Sequence, residues 1–285
     1  RQARLVVVRL LGGRSYWPYG VDEISAACRK SGIPLVLLPG DDRPDGDLLS
    51  SSTVDSVRYH RLWHYLIHGG VDNAEQLLRH ACEMLCCTPV PSWQEPAPLA
   101  PAGLWGADQS ALTDTSKPVA LVVFYRALVQ AANTAVVEAL CDALRAEGLA
   151  PLALYVTSLK DPLASALAEQ VVADARPAVI LNATGFAIGS PSDGDPARQP
   201  LTATACHAGP FAASDAVVLQ VVFASGSEAA WDSGTNGLGA RDIAMNIALP
   251  EVDGRVFSRA VSFKAAATRD AATEVDLIHY QPRPD

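Results

Sequence analysis

The sequence predicts an α/β fold built from two doubly wound lobes with mainly parallel sheets. Continuous aliphatic runs, such as residues 5–10 and 119–124, are typical of strands that are buried on both faces of a parallel sheet. Helix-like stretches alternate with these runs, and this order gives the right-handed β-α-β units of such a sheet. Glycines such as Gly32 and Gly148 follow the helix-like stretches, where a helix is expected to end. Together these features are those of Rossmann-like or flavodoxin-like folds.

The first lobe is assigned to residues 1–87. We expect its elements in the order strand 5–10, helix 22–30, strand 34–38, helix 53–67 and a final helix that ends near residue 87. Residues 12–20 form a loop after the first strand, and residues 41–52 are predicted to be a polar loop. Asp72 or Asn73 is expected to cap the final helix, because such side chains accept hydrogen bonds from the first free amides.

Residues 88–118 are expected to be a proline-rich linker between the lobes. Prolines stand at positions 89, 91, 96, 98, 101 and 118. Proline this dense excludes a helix and a central strand, because each proline lacks the backbone N–H that those structures need.

The second lobe is assigned to residues 119–285. Its strands are predicted at 119–124, 152–156, 178–181, 216–223 and 254–263, and its helices at 134–147, 162–175, 227–231 and 240–248. Asp161 followed by Pro162 is the expected order at a helix start. Residues 189–210 are rich in Gly, Ser, Asp and Pro, and we expect them to be mobile.

The composition favours a cytoplasmic protein without nucleic-acid or membrane partners. Its net charge of -9 disfavours contact with nucleic-acid phosphates, which requires clustered Lys and Arg. The 6 cysteines are too sparse for a disulfide framework and are expected to be reduced. We find neither a long apolar run nor a signal peptide. The chain opens without Met and ends like the start of another segment, so we expect a piece of a longer polypeptide.

Candidate binding residues lie where the predicted strands end. Ligands of open α/β sheets bind outside the carboxyl ends of the strands, where helix amino termini can hold carboxylates. The candidate substrate-binding residues are Arg14, Tyr16, Trp17, Arg126, Asn133, Ser158, Asn182 and Thr184. The alternative is that the Asn, Thr and Gly residues of these loops only build turns.

His60, His64 and His68 repeat every four residues within a predicted helix, so they share one face. Two histidines at this spacing can bind one metal ion, which makes His60 and His64 candidate metal ligands. The alternative is a helical face whose histidines meet water or polar neighbours.

Nucleotide-binding and hydrolase motifs are missing from the sequence. It has no GxxxxGK[ST] loop, no GxGxxG after a strand, no GxSxG and no HExxH. The chain is therefore not expected to hydrolyse ATP, and no catalytic residue is assigned.

An ordered set of segments resembles one known family. The segments are RLVVVRLLGGRSYW (4–17), IPLVLLPGD (33–41), LWHYL (62–66), VALVVFYR (119–126), SLKDP (158–162), NATGF (182–186), ARDIAMN (240–246) and LPEVDG (249–254). They are similar to segments of the large subunits of aerobic cobaltochelatase and of its relative, magnesium chelatase. Gly103-Leu104-Trp105 also fits, but the His-Pro expected after it is absent.

The resemblance implies a function for the parent protein. Large subunits of this family bind the tetrapyrrole, while two smaller subunits, one of them an AAA+ ATPase, use the ATP. The reaction inserts Co2+, as a substrate, into hydrogenobyrinic acid a,c-diamide during cobalamin biosynthesis. This chain would be the amino-terminal segment, inactive alone, with the metal-insertion residues downstream.

Three alternatives stay open at this point. They are a magnesium chelatase-type subunit, a non-catalytic docking scaffold, and a free-standing two-lobed receptor for small molecules. Tetrapyrrole carboxylates and amides would suit side chains such as Arg14, Arg126 and Asn182.

Overall fold

The computed structural model describes residues 3–86, 89, 92–106, 116–188, 209–235, 237–270 and 274–283. The chain divides into two compact units, of which the first comprises Arg1–Leu99 with Gln130–Ala132 and the second Ala100–Val129 with Asn133–Asp285. The predicted linker is shared between these units, and its role as a linker stays a prediction. The stretch predicted to be mobile lies outside the described residues, except for Gly209 and Pro210.

The first unit is a two-stranded parallel sheet with helices on both faces. Its elements are β1 (Val6–Leu10), α1 (Pro18–Ser31), β2 (Leu35–Pro39), α2 (Gly46–Ser51), α3 (Ser56–His68) and α4 (Gly70–Met84). Leu37 of β2 packs on one face with Val21 of α1 and Leu48 of α2. Val36 packs on the other face with Tyr59 of α3. Alternate residues of β2 therefore serve two separate hydrophobic clusters.

The prediction that the first strand is buried on both faces is wrong. Leu10 is buried and Val8 packs against the core, whereas Val7 and Arg9 are exposed. Among the described residues β1 pairs only with β2, so it is an edge strand that helices cover on one face.

Helix boundaries in the first unit depart from the sequence prediction at several places. Helix α1 begins at Pro18, inside the predicted loop 12–20, because proline at the first helical position already has the backbone angle that a helix needs. The predicted polar loop 41–52 contains α2, whose first amides donate to the Asp45 side chain. Neither Asp72 nor Asn73 caps α4, because this helix already begins after Gly69. The Asn73 side chain is instead buried and hydrogen-bonds both the N–H and the carbonyl of Ala97, which holds that segment against α4.

The second unit is built on a seven-stranded sheet in the order β3-β5-β4-β6-β7-β8-β9. The strands are β3 (Ala102–Trp105), β4 (Val119–Tyr125), β5 (Ala150–Val156), β6 (Val179–Asn182), β7 (Val217–Phe223), β8 (Val256–Asp270) and β9 (Val275–Pro282). Strands β4 to β8 are parallel, and β3 and β9 are antiparallel at the edges. In chain order the parallel strands are arranged 2-1-3-4-5, which is the flavodoxin-like order. The predicted α/β class is confirmed.

Helices cover this sheet. They are α5 (Arg126–Gln130), α6 (Ala135–Ala146), α7 (Pro162–Ala175), α8 (Glu228–Ser233), α9 (Ala240–Ile243) and α10 (Leu249–Glu251), with a π-helical turn at Ala244–Ala248. As predicted, α7 starts at Pro162, and the Asp161 side chain accepts a hydrogen bond from the Ala164 amide. Its buried residues, such as Ala168 and Val172, pack in one cluster with strand residues such as Leu121.

Both antiparallel edge strands were missing from the sequence prediction. β3 lies inside the proline-rich stretch, directly after Pro101. An edge strand pairs on one side only, so proline beside it is tolerated. β9 pairs antiparallel with β8 at the other edge, with Lys264 opposite Tyr280.

Candidate functional site

The carboxyl ends of β4, β5 and β6 form the candidate site in the second unit. From β4 the chain passes through α6 to β5 on one side, and then through α7 to β6 on the other side of β4. Right-handed crossovers in opposite directions place α6 and α7 on opposite faces of the sheet. A crevice therefore opens between the ends of β4 and β6, the position where open α/β sheets bind ligands.

A cavity of about 140 Å³ lies at this end of the sheet. It is lined by Tyr125, Ser158, Leu159, Lys160, Thr184, Gly185, Phe186, Ala187 and Ile188. The Tyr125 hydroxyl donates to the Gly185 carbonyl at 3.0 Å, which joins the end of β4 to the loop after β6. Burial raises the pKa of Tyr125, so its hydroxyl keeps the proton that it donates. Lys160 is exposed and supplies the positive charge in this lining.

Two of the candidate residues, Asn182 and Thr184, lie inside the protein. They are 0% and 2% exposed, and the Asn182 Oδ1 accepts from both the backbone amide and the hydroxyl of Thr184 at 2.9 and 2.8 Å. The Thr184 carbonyl in turn accepts from Gln220 Nε2 at 3.0 Å. These bonds fix the start of the loop that lines the cavity.

A buried ion pair holds the rest of that loop. Arg255 Nη2 and Asp253 Oδ2 are 2.8 Å apart, and both side chains are 1% exposed. Arg255 also donates to the carbonyls of Thr184 and Phe186, and Asp253 accepts from the Ile188 amide at 2.7 Å. Burial lowers the pKa of the Arg255 guanidinium, and the Asp253 carboxylate opposes that shift.

Two donors of this network have no hydrogen-bond partner within the described part of the chain. They are Asn182 Nδ2 and Arg255 Nε. A buried N–H without a partner is costly, so an acceptor such as a carboxylate or carbonyl oxygen would stabilise either group. Neither residue is among those that line the cavity, so these two donors assign no ligand to it.

The loop after β6 is also conformationally constrained. Phe186 has φ of 67°, which is unusual for an aromatic residue, and the residue is 53% exposed. Its amide donates to the Met245 carbonyl at 3.2 Å, within the π-helical turn. A Cβ at Gly185 would lie 3.0 Å from the same carbonyl. The π-helical turn thus keeps the loop closely packed, which presents Phe186 to solvent beside the cavity.

The structure brings Ser158 and Thr184 together in the cavity lining, but it places Arg126 and Asn133 elsewhere. Arg126 Nε donates to the Ala100 carbonyl at 3.0 Å. Asn133 Oδ1 accepts from the Tyr280 amide at 3.1 Å and so attaches β9 to the start of α6. Their predicted roles in substrate binding, and that of Asn182, stay predictions.

Sequence reasoning missed Gln220, Asp253 and Arg255. Gln220 was detectable as a polar residue within an apolar strand. Asp253 and Arg255 flank Gly254, whose φ is 72°, but their pairing with the loop after β6 depends on the tertiary fold.

The remaining candidates lie in the first unit. Arg14 sits in a 3-10 turn after β1, where it forms a salt bridge with Asp22 and donates to Ser51 Oγ at 3.3 Å. Tyr16 and Trp17 are 80% and 45% exposed. The loop thus presents aromatic side chains to solvent, and their role in substrate binding stays a prediction.

His60, His64 and His68 share one side of α3, as predicted. Their neighbouring ring centroids are 6.4 and 6.0 Å apart. Across the described residues, no three or more His, Cys, Asp or Glu side chains are placed to hold a metal ion together. Nor is any helix in that part of the chain both long and apolar enough to cross a membrane.

Comparison with known proteins identifies the family. A family model described as CobN/Magnesium Chelatase matches residues 63–285. The aerobic cobaltochelatase subunit CobN of Sinorhizobium sp. is 41% identical, over 99% of this chain and 22% of that protein. The protein of the same name from Pseudomonas aeruginosa is 35% identical, over 98% of this chain and 22% of its own length.

A solved structure supports the same assignment. The catalytic subunit of cobaltochelatase from Mycobacterium tuberculosis aligns with a TM-score of 0.74 and 30% identity, over 99% of this chain and 22% of that one. The chain thus spans about a fifth of the length of these relatives. Because the family model covers well over half of the sequence, the chain belongs to the CobN/magnesium chelatase family.

Proposed function

We propose that this chain is a segment of a cobaltochelatase large subunit, which inserts Co2+ into hydrogenobyrinic acid a,c-diamide for cobalamin biosynthesis. The observation that carries this proposal is the 41% identity, along 99% of the chain, to a protein named as an aerobic cobaltochelatase subunit. The named relatives support cobalt rather than magnesium as the metal substrate, since each of their names specifies cobalt.

Partner subunits, one of them an AAA+ ATPase, would supply the energy of ATP hydrolysis. The sequence supports this division of labour, because it lacks the GxxxxGK[ST] loop that cradles nucleotide phosphates. The residues that deprotonate the macrocycle and hold the metal during its insertion would lie in the part of the large subunit that this chain does not span.

Within that assembly, the crevice between β4 and β6 would hold a side chain of the tetrapyrrole. Pockets that enclose whole drug-sized ligands measure roughly 300–1,000 Å³. The cavity of about 140 Å³ is too small for a macrocycle and suits a single carboxylate or amide substituent. Lys160 supplies a charge for a carboxylate, and Ser158 and Tyr125 supply polar walls.

Phe186 is positioned to contact the macrocycle of a tetrapyrrole whose substituent enters the cavity. It lies in the cavity lining and remains 53% exposed, so one aromatic surface is available beside the polar pocket. A macrocycle whose carboxylate enters the cavity could rest its apolar edge there. Polar anchoring with apolar support is the usual composition of small-molecule sites.

A titration of hydrogenobyrinic acid a,c-diamide into the chain, followed by the absorbance of the tetrapyrrole, tests this proposal. We expect saturable binding in the micromolar range, which corresponds to about -8 kcal/mol. Lys160→Ala should weaken binding roughly tenfold to a hundredfold, because a hydrogen bond to a charged group contributes about 1.5–3 kcal/mol.

Lys30→Ala is the matched control, since Lys30 is also an exposed lysine and lies at the end of α1, away from the cavity lining. It should change the affinity less than twofold. If both lysine variants bind like the wild type, the cavity does not bind a carboxylate of the tetrapyrrole. If folded wild-type protein does not bind at all, the segment acts as a docking scaffold instead.

A further inference from the structure

The outer side of α3 carries three histidine rings in a row. His64 is exposed, and His60 and His68 are half-buried. Residues four apart on a helix lie one above the other, so each histidine ring lies beside the next one. The His60 and His64 ring centroids are 6.4 Å apart, and those of His64 and His68 are 6.0 Å apart.

The first two rings rest on a fixed indole. Trp63 is 4% exposed, and its Nε1 donates to the Asp41 carbonyl at 3.1 Å. Its ring centroid lies 6.0 Å from that of His60 and 5.5 Å from that of His64. Because the indole cannot move freely, it restricts the rotamers open to both histidines. Such restriction lowers the entropy lost when the two rings bind one ligand.

The ring nitrogens of this pair are available. Within the described residues neither His60 nor His64 makes a hydrogen bond, whereas His68 Nδ1 accepts from the Leu99 amide at 3.3 Å. The nearby arginines have their own acidic partners: Arg61 pairs with Glu95 and Arg58 pairs with Asp55. Their repulsion of a bound cation is therefore reduced.

We propose that His60 and His64 form a two-histidine site for a divalent first-row transition ion such as Co2+, with water completing its coordination. Imidazole nitrogens suit such ions, whereas Mg2+ prefers oxygen ligands. A metal–nitrogen distance of about 2.1 Å in a tetrahedral arrangement brings the two ring centroids to about 5 Å. The rings must therefore close by about 1 to 2 Å, which side-chain rotation can supply.

Two protein ligands hold an ion less firmly than the four of a structural zinc site. A site of this kind captures a cation and releases it again, which is what a protein that hands a metal to another site requires. That the captured ion is the one inserted into a tetrapyrrole rests on the proposed function. The binding of the ion itself does not.

The test is a calorimetric titration of CoCl2 into the chain, with quenching of tryptophan fluorescence as a second readout. The protein carries no polyhistidine tag, and its accessible thiols, such as that of Cys86, are first blocked with iodoacetamide. We expect Co2+ to bind and to quench the emission, and Mg2+ to do neither. His60→Ala and His64→Ala should each weaken Co2+ binding at least tenfold, and His64→Gln should do the same.

His68→Ala is the matched control, because it removes a histidine from the same face and leaves the proposed pair intact. Its affinity should stay within threefold of the wild type. Unchanged affinity in His60→Ala, or loss of binding in His68→Ala, would overturn the assignment, as would equal binding of Mg2+. The same His60→Ala protein should bind tetrapyrrole normally, so this proposal and the proposed function can fail independently.

Discussion

Removing the Asp253 carboxylate is expected to destabilise the second unit by about 3 to 5 kcal/mol. Asp253 and Arg255 are both 1% exposed, and Asp253 Oδ2 accepts from Arg255 Nη2 at 2.8 Å and from the Ile188 amide at 2.7 Å. Asp253→Ala therefore leaves a buried guanidinium without its counter-charge and a backbone amide without its acceptor. For a unit of this size, the unfolding midpoint should fall by roughly 6 to 20 °C.

Thermal unfolding measured by circular dichroism tests this magnitude, and Asp142→Ala is the control. Asp142 pairs with Arg145 at 2.7 Å in the same unit, but those side chains are 74% and 43% exposed. Its loss should cost no more than about 1 kcal/mol. Replacing both members of the buried pair with apolar residues should recover part of the stability, because no unpaired charge then remains.

Hydrogen exchange supplies a local readout of the same substitution. In Asp253→Ala the amides of residues 184–188 should exchange faster, because the ion pair holds that loop. Equal destabilisation by Asp253→Ala and Asp142→Ala, with unchanged exchange in the loop, would refute the role assigned to the buried pair.

Three further substitutions or conditions test other parts of the structure. Gly69→Ala should lower the free energy of unfolding in urea by about 1–3 kcal/mol, because φ is 65° there and the new Cβ would lie 2.5 Å from a backbone oxygen. Gly32→Ala, where φ is 63° but the space is open, should lower it less, and equal losses would contradict the steric explanation. Burial lowers the pKa of His80, so the unfolded chain binds a proton at His80 more readily, and the stability should decline as the pH falls below about 6.5. His80→Gln should make the urea midpoint depend less on pH, and an unchanged pH dependence would exclude His80 as its source. Burial raises the pKa of Cys141 to about 11, so the Cys141 thiol should be alkylated far more slowly at pH 8 than that of the exposed Cys86, as measured by mass spectrometry. Equal alkylation rates would contradict the burial of Cys141.

Much of the fold could be predicted from local signals. Proline after Asp161 marks the start of α7, and Gly32 marks the end of α1, because these residues act on the backbone where they stand. One edge strand that depends on a distant partner and one short, locally capped helix were missed. The edge strand β3 lies among prolines and forms through pairing with β5, and α2 is short enough to resemble a polar loop until Asp45 caps it.

The candidate site was predictable in position but not in detail. Strand-end reasoning selected Ser158 and Thr184, which do line one cavity. It could not show that Asn182 points into the protein, because the direction of a side chain at a strand end depends on the sheet register. Nor could it find Arg255, which bonds residues about seventy positions earlier in the chain.

Hydrogen–deuterium exchange of the chain with and without hydrogenobyrinic acid a,c-diamide is the sharpest test of tetrapyrrole binding at the crevice between β4 and β6. We expect the tetrapyrrole to slow exchange at residues 158–160 and 183–188, the two loops that line the cavity, while exchange in α7 stays unchanged. Saturating tetrapyrrole that leaves both loops unprotected, or that protects only segments away from the carboxyl ends of β4 and β6, would contradict it.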